Sequence, residues 1–422
     1  MPDLFSVTAL TMKGKEIMKR FFLFCGIALC GMALSNSALA QKFDGLALTP
    51  PMGWNSWNKF GCDVDERMIR EIAEAMVASG MRDAGYRYLV IDDCWEGKRD
   101  SLGFIHPDSQ RFPSGMKALG DFIHSQGLKF GIHSCAGDKT CAGREGARGH
   151  EYQDAIAYAS WGIDYLKYDW CSTEGLNAVG AYTTMRNALR AAGRPIVFSL
   201  CEWGDNKPWE WAKDVGHLWR TTGDITNCFD CEVNHGTWSS WGVMKIVEMR
   251  KGIRAFAGPD HWNDPDMLEV GNGMAPGEDR AHFSLWCLMA APLIAGNDVR
   301  AMDKGTAEIL FNREVIAIDQ DSLGFQGYRH SADDSLEVWV KPLVKDNWAV
   351  CFLNRSAKNR SLDFDWTKNT IADEFSDRKI DPEGKQYALR DLWGKRNLGT
   401  TRRPLRAEVA SHDVLLLMLT KR

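Results

Sequence analysis

Lys167, Asp169 and Trp170 end the stretch Gly162 to Cys171, G-I-D-Y-L-K-Y-D-W-C, in which Ile163, Tyr165 and Leu166 read as a buried strand. An apolar run that stops at a charge pair and aromatics is how a parallel strand presents side chains at its carboxyl end. In barrels of alternating strands and helices that end carries the chemistry. Other apolar runs in the chain stop the same way. After the first come Gly53-Trp54-Asn55-Ser56-Trp57, after the second Asp92-Asp93-Cys94-Trp95, and after the third His133-Ser134-Cys135. The fifth leads to Cys201-Glu202-Trp203, the sixth to Arg220 through Asp224, and the seventh to Trp262-Asn263-Asp264-Pro265-Asp266. Carboxylates accept hydrogen bonds from hydroxyls, Lys and Arg orient them, and indoles stack on flat C–H faces. Such a rim suits a neutral polyhydroxy ligand; a phosphate site would want fewer acids and more amide donors. Two carboxylates flanking a glycosidic bond are the minimum for hydrolysis. Asp169 and Asp224 are the best candidates, although spacing alone does not choose them among several acids. Plainer readings stand beside these: Lys167 and Asp169 as a simple ion pair, Asp92-Asp93 as a structural or metal-binding pair, and many of the 17 tryptophans as core fillers.

The elements that must position these residues follow a repeated beat from about residue 48 to 300. Asp63 with Glu66 resembles a capping box, and Met68, Ile69, Ile72 and Met76 fall at helical spacing. Gly80 and Gly85 follow, then a strand from Tyr86 to Ile91. Pro113 to Gln126 is helical, Leu128 to Ile132 a strand, Glu151 to Trp161 a helix and Ile163 to Leu166 a strand. Tyr182 to Ala192 and Pro195 to Leu200 form the next helix and strand. Helix, glycine stop, apolar strand is the order of parallel βα units. A helix around Trp209 to Val215 and strands at His217 to Arg220, Ile253 to Ala257 and Leu293 to Ala295, with Leu46 to Met52 first, bring the strand count to eight. This points to a closed (β/α)8 TIM barrel over residues 41–323. An open doubly wound sheet would want a glycine-rich phosphate loop after its first strand, and none is present. From about Gly324 short strands alternate with turn residues, at Glu337 to Val340, Trp348 to Leu353, Leu362 to Trp366, Tyr387 to Leu392 and Val414 to Leu419. Residues 324–422 therefore read as a smaller antiparallel β-sandwich domain with no chemistry of its own.

Composition bounds the rest. The chain has 422 residues, 45% hydrophobic and 25% charged, an ordinary globular balance. Residues 1–40 read as a cleaved secretory leader: Lys13, Lys15, Lys19 and Arg20 precede an apolar run from Phe21 to Leu34, and Ala38-Leu39-Ala40 is a small-x-small cleavage signal. Met18 is an alternative start. The run is too short to stay in a membrane, and Cys30 lacks the preceding small residues of a lipidation site, so the mature chain is expected to be periplasmic or secreted. With four bases and two acids gone in the leader, the formal charge falls from −5 to −7. No Lys/Arg-rich run survives, which excludes nucleic acid as a partner. Of 12 cysteines, Cys25 and Cys30 leave with the leader. The other ten enter an oxidising compartment, where disulfides are expected. Cys228-x-x-Cys231 has no second pair at zinc-ligand spacing.

Seven motifs in order complete the picture: P-P-M-G-W-N-S-W at 50–57, I-D-D-C-W at 91–95, K-T-C-A-G at 139–143, L-K-Y-D-W-C at 166–171, C-E-W-G at 201–204, W-R-T-T-G-D-I at 219–225 and W-N-D-P-D-M-L at 262–268. The pattern resembles glycoside hydrolase family 27, the α-galactosidases and α-N-acetylgalactosaminidases, strongly over about residues 46–325 and loosely beyond. The resemblance implies a retaining exo-α-galactosidase that needs no cofactor or metal. It puts the nucleophile at Asp169 and the acid/base at Asp224. Asp92 and Asp93 would hold the 4- and 6-hydroxyls, Lys167 the 3- and 4-hydroxyls, and Arg220 would lie near the 2-position. Trp57 would wall the sugar pocket, with Asp266 supporting the acid/base, and disulfides would join Cys62 to Cys94 and Cys141 to Cys171. Two positions depart from the family: His133 stands where Tyr is frequent, and Cys201 lacks a partner because position 216 is Gly216. Bulky Glu202 and Trp203 near the 2-position imply preference for galactose over its N-acetylamino analogue. The alternatives are an α-N-acetylgalactosaminidase or β-L-arabinopyranosidase on the same fold, a Schiff-base aldolase-like barrel using Lys167, and a non-catalytic sugar-binding protein.

Overall fold

Pro50 and Pro51 have no N–H to give a ladder, so the first barrel strand starts only after them. This strand, β1, is Met52–Asn55, later than the expected Leu46 to Met52. The computed structural model describes residues 41–333, 335–381 and 384–422; the expected leader and the start at Met18 lie outside them. Seven further strands follow: β2 Tyr88–Ile91, β3 Lys129–Cys135, β4 Tyr165–Asp169, β5 Val197–Cys201, β6 Leu218–Arg220, β7 Trp262–Asp264 and β8 Leu293–Ala295. They form one parallel sheet in the order β7-β6-β5-β4-β3-β2-β1-β8. The remaining seam closes beyond the end of β7, where Leu268 N donates to Ile294 O (2.8 Å) and Gly296 N to Leu268 O (3.2 Å). Together these make a parallel bridge between Leu268 and Ala295.

Side chains on a strand alternate between faces, and here the alternation sorts residues into two layers. Leu89, Ile91, Phe130, Ile132, Leu166, Tyr168, Phe198 and Leu200 face the surrounding helices in one large core. Tyr88, Val90, Tyr165, Val197, Leu218 and Trp262 fill the barrel interior as a separate cluster. Continuing the interior register by twos reaches Asp92 from Val90, Lys167 and Asp169 from Tyr165, Cys201 from Val197, Arg220 from Leu218 and Asp264 from Trp262. The polar rim is thus the top of the same inward face whose lower part is apolar. Gly53 sits where a Cβ would lie 2.3 Å from Tyr88 O, so only glycine lets β1 and β2 approach this closely.

Helix Glu66–Ala78 is capped by Asp65, not by the expected Asp63, with Met68 N donating to Asp65 Oδ1 at 2.7 Å. Met68, Ile69, Ile72 and Met76 are buried along one face. Helices Gly115–Ser125, Glu151–Trp161 and Ala178–Ala192 follow the expected beat. Two expected elements are corrected. Ile253 to Ala257 is not a strand: Arg254–Phe256 is a 3-10 turn with no fully buried residue, and the seventh strand is Trp262–Asp264. The region of Trp209 to Val215 holds two 3-10 turns rather than a helix.

The C-terminal part is a six-stranded antiparallel sheet, in spatial order Tyr328–Asp333, Leu336–Leu343, Asn347–Asn354, Val414–Lys421, Tyr387–Asp391 and Arg396–Thr400. A two-stranded antiparallel sheet, Arg360–Phe364 with Leu405–Val409, shares a core with one of its faces: Trp348, Val350, Phe352, Leu415 and Leu417 pack with Leu362, Phe364 and Leu405. The alternate residues Ala349, Cys351, Leu353 and Leu416 join the barrel's outer core. Burial on both faces is why these strands read as unbroken apolar runs. No helix among the described residues is long and apolar enough to cross a membrane.

Candidate active site

The carboxyl ends of the barrel strands enclose a cavity of about 420 Å³, a usual size for a small-molecule site. One wall comes from β2, β3 and β4. Asp169, the last residue of β4, has a side chain 6% exposed. His133 Nε2 lies 3.3 Å from its Oδ2, Trp170 N donates to its Oδ1 at 3.0 Å, and Lys167 Nζ stands 3.8 Å from Oδ2. Burial alone would push this carboxyl up, yet the His133 hydrogen bond and the Lys167 charge hold it below the ordinary carboxylate range. Lys167 Nζ also donates to Asp92 Oδ2 at 2.8 Å, an oxygen that accepts from Asn55 Nδ2 at 2.7 Å. Burial would strip Lys167 of its proton, but Asp92 and Asp169 keep it charged well above its ordinary value. An ammonium so held is a hydrogen-bond donor, not an amine nucleophile, which removes the chemistry of a Schiff-base lysine.

Behind His133 lies Glu96, which no sequence signal marked. Its Oε1 is 3.6 Å from His133 Nδ1, and burial pushes it up to about 7 against the pull of His133. His133 is raised well above its ordinary value: burial opposes this, but Asp92, Asp169 and Glu96 surround the ring. Asp93, Glu96 and His133 bring donor atoms within 4.8 Å of one another, as a metal would require. Asp93 accepts from Cys94 N and Ala142 N at 2.7 and 2.8 Å and His133 Nε2 faces Asp169, while Glu96 Oε1 and His133 Nδ1 face each other without a hydrogen bond.

The facing wall comes from β6 and β7. Arg220 Nη2 donates to Asp224 Oδ1 at 3.0 Å and lies 2.9 Å from Asp266 Oδ2. Asp224 has a side chain 39% exposed. Asp266 is buried, held in the left-handed region at φ 91°, and accepts from Ile225 N and Met267 N, each at 2.8 Å. Burial raises it to about 7 against Arg220, with Asp224 adding to the rise. One guanidinium therefore orients two carboxyls, one wet and one dry.

Trp57, Asp92, Asp93, His133, Lys167, Asp169, Trp203, Arg220, Asp224 and Asp266 all line the one cavity. Cys201 and Glu202 do not, and the pleat explains both. Cys201 points inward below the rim, where Arg220 Nη1 meets its Sγ at 3.7 Å. Glu202 falls on the outward register, is fully buried, and accepts from Asn206 N and Nδ2 at 2.6 and 2.7 Å. Trp203 returns to the cavity through a left-handed turn, φ 57°. Trp54, Trp95 and Trp262 do not reach the ligand space: they are buried, Trp54 and Trp95 pinning the rim by donating to Asn297 O and His133 O at 2.7 and 2.8 Å, and Trp262 the opposite end of the barrel by donating to Ala47 O at 2.7 Å. Trp170 stacks on Tyr182, 5.5 Å between centroids. Disulfides join Cys62 to Cys94, Cys141 to Cys171 and Cys228 to Cys231; the second ties the loop after β3 to the loop after Asp169. Cys201 is free. Lining residues outside the expected set include Asn58, Glu269 and Asn272, bonded through Glu269 at 2.6 Å to each side, and the pair His235 and Trp238.

A family model described as Alpha galactosidase A matches residues 49–321, and one described as Alpha galactosidase C-terminal beta sandwich domain matches residues 333–419. The chain is 56% identical over 401 residues to Alpha-galactosidase A of Cellvibrio japonicus, covering 95% of this chain and 99% of that one. It is 46% identical over 382 residues to an α-galactosidase of Cyamopsis tetragonoloba, covering 90% and 88%. Among solved structures, α-galactosidase I from Mortierella vinacea superposes with a TM-score of 0.84 at 37% identity, over 89% of this chain and 98% of that one. An α-galactosidase from Saccharomyces cerevisiae solved with raffinose superposes at 0.84 and 28% identity, over 90% and 100%.

Proposed function

Because the chain belongs to glycoside hydrolase family 27, the α-galactosidases, we propose that it removes terminal α-linked galactose by double displacement, with Asp169 as nucleophile and Asp224 as acid/base. The observation that carries this reading is the contrast across one cavity. Asp169 is buried and held below the ordinary carboxylate range by His133 and Lys167, while Asp224 is partly exposed and open to solvent. In the first step Asp169 Oδ attacks the anomeric carbon. The C–O bond breaks, its electron pair stays on the leaving oxygen, and that oxygen takes the proton of Asp224. In the second, water gives its proton to Asp224 and its oxygen attacks the anomeric carbon, breaking the ester and returning Asp169 to a carboxylate.

The inner well supplies the sugar's contacts. Asp92 and Asp93 accept from the 4- and 6-hydroxyls, Lys167 donates to the 3- and 4-oxygens, and Trp57 covers the apolar ring face. Trp203, rather than Glu202, crowds the 2-position, which favours galactose over its 2-acetamido analogue. Raffinose-type oligosaccharides and galactose branches of polysaccharides fit as substrates. Export of the mature chain to the periplasm or beyond, after removal of residues 1–40, accords with disulfides at the active face. Division into a catalytic part, 41–323, and a β domain, 324–422, completes the proposal. Proton NMR of an α-galactoside digest tests the mechanism. Retention gives α-galactose first; β-galactose appearing first would remove Asp169 from the nucleophile role.

A further inference from the structure

Next to Asp224 the cavity wall continues into a short hairpin, Glu232–Asn234 paired antiparallel with Ser239–Trp241. The Cys228–Cys231 disulfide closes its base. Its return strand is tied to the acid/base loop, where Trp241 N donates to Asp224 O and Thr226 N to Trp241 O, both at 2.9 Å. Gly223 makes room for this, since a Cβ there would lie 2.2 Å from the Trp241 ring. Near the hairpin tip Trp238 is 51% exposed, yet its ring is held in place. It stacks on His235 with centroids 4.0 Å apart and planes 21° apart. His235 N donates to Trp238 O at 2.9 Å, and His235 Nε2 lies 2.9 Å from Ser240 Oγ. Both rings line the cavity.

An indole left half in water does little for folding, but this one is stacked in a fixed orientation on the cavity wall, where a flat apolar face can receive a ligand ring. Its place determines what it meets. The galactose ring is enclosed by Asp92, Asp93, Lys167 and Trp57, deep on the nucleophile side. The oxygen that leaves must lie at Asp224, so the group attached to it departs past the loop on which the hairpin rests. We propose that Trp238, backed by His235, is the stacking platform for the hexopyranose ring that leaves, an aglycone subsite added to the galactose well. The proposal rests on the reading of Asp224 as acid/base. Aromatic rings of this kind offer a rigid apolar face at small conformational cost, and the stacked histidine fixes the angle at which the second sugar is received.

The test compares two substrates on the full-length enzyme. In melibiose the leaving group is glucose, which can stack; in α-galactosyl fluoride it is fluoride, which cannot. Trp238→Ala should lower kcat/KM for melibiose about tenfold, the factor that ~1.4 kcal/mol of lost contact gives, mainly through KM. It should leave the fluoride within about twofold, and Trp238→Phe should restore most of the loss. Equal losses on both substrates would assign Trp238 a folding role and overturn the platform, as would an unchanged melibiose rate. A wild-type enzyme inert on both would overturn the catalytic reading and the platform together, whereas either of the first two results would overturn the platform alone.

Discussion

Asp169 and Asp224 face one cavity from opposite walls, with side chains 6% and 39% exposed, and they keep different company. Asp169 has two cationic neighbours, His133 and Lys167, and a disulfide across its loop. Asp224 shares a single guanidinium with a buried second acid and opens to water. A nucleophile that must stay ionised gains from fixed positive charge in a dry setting, where such charge acts most strongly. A group that must give up and recover a proton each turnover needs contact with solvent and a neighbour able to stabilise both of its states. The difference between the walls is a difference in what each proton is permitted to do.

Replacing each carboxylate in turn breaks the comparison most sharply. Asp169→Asn should lower kcat on the order of 10⁴-fold for every α-galactoside, because no leaving group compensates for a lost nucleophile. Asp224→Asn should lose about 10²–10⁴-fold on sugar leaving groups. It should lose far less in the first step on a nitrophenyl galactoside, which needs little protonation, so that a burst of nitrophenol precedes a slow second step. Equal losses for both variants on both substrates would erase the distinction between the walls.

A smaller effect sharpens the nucleophile wall. The acid limb of kcat/KM against pH reports ionisation of the nucleophile in the free enzyme. His133→Phe removes a hydrogen bond that holds Asp169 down while its burial remains, so the carboxyl rises and the acid limb should move to higher pH. Glu96→Gln should move it the same way by less, since it acts only through His133. A pH profile unmoved in both variants would leave His133 as packing alone.

The smallest effect belongs to the acid/base wall and is read in stability. Asp266 is raised from the ordinary carboxyl value to about 7. A carboxyl raised in the fold binds its proton more tightly folded than unfolded. Its contribution is therefore complete below the unfolded value near 3.9 and is lost as pH rises through about 7. The melting temperature of the wild type should thus fall more between pH 5 and 8 than that of Asp266→Asn, whatever the variant's absolute value. Parallel curves would show that Asp266 ionises as an ordinary surface acid does.

The parts of this design legible in the sequence are those that a strand writes in order. Tyr165, Lys167 and Asp169 alternate with Leu166 and Tyr168, so the inward series is plain from residue types and a period of two. Glu202 shows the limit of reading by adjacency, because it follows Cys201 in sequence and falls on the opposite face. Strand β7 has no such signature, because its central residue, Asn263, carries a buried polar group whose partners, Trp219, Ile253 and Gln326, lie outside the strand. Glu96 and Asn55 touch the site only through other side chains, contacts for which no spacing rule exists. The hairpin carrying Trp238 lies in a polar stretch, Asn234-His235-Gly236-Thr237-Trp238, that reads as loop; its stacked pair is brought together by the pairing of Glu232–Asn234 with Ser239–Trp241.

The seam of the barrel bears on how this molecule moves. Strands β3 and β4 are held in register over five residue pairs, but β7 and β8 meet only through Leu268, two residues beyond Asp266. Excursions of a folded protein begin where few bonds resist them, so amide exchange at Leu268 and Gly296 should be faster than along β4. An opening there would carry Asp266 with it, and through Asp266 the amide of Ile225 and the guanidinium of Arg220, whereas the Cys141–Cys171 disulfide braces the wall of Asp169. A loosening of the seam would then be felt at the wall of Asp224 and not at that of Asp169, so the two halves of one cavity would differ in how firmly they are held shut.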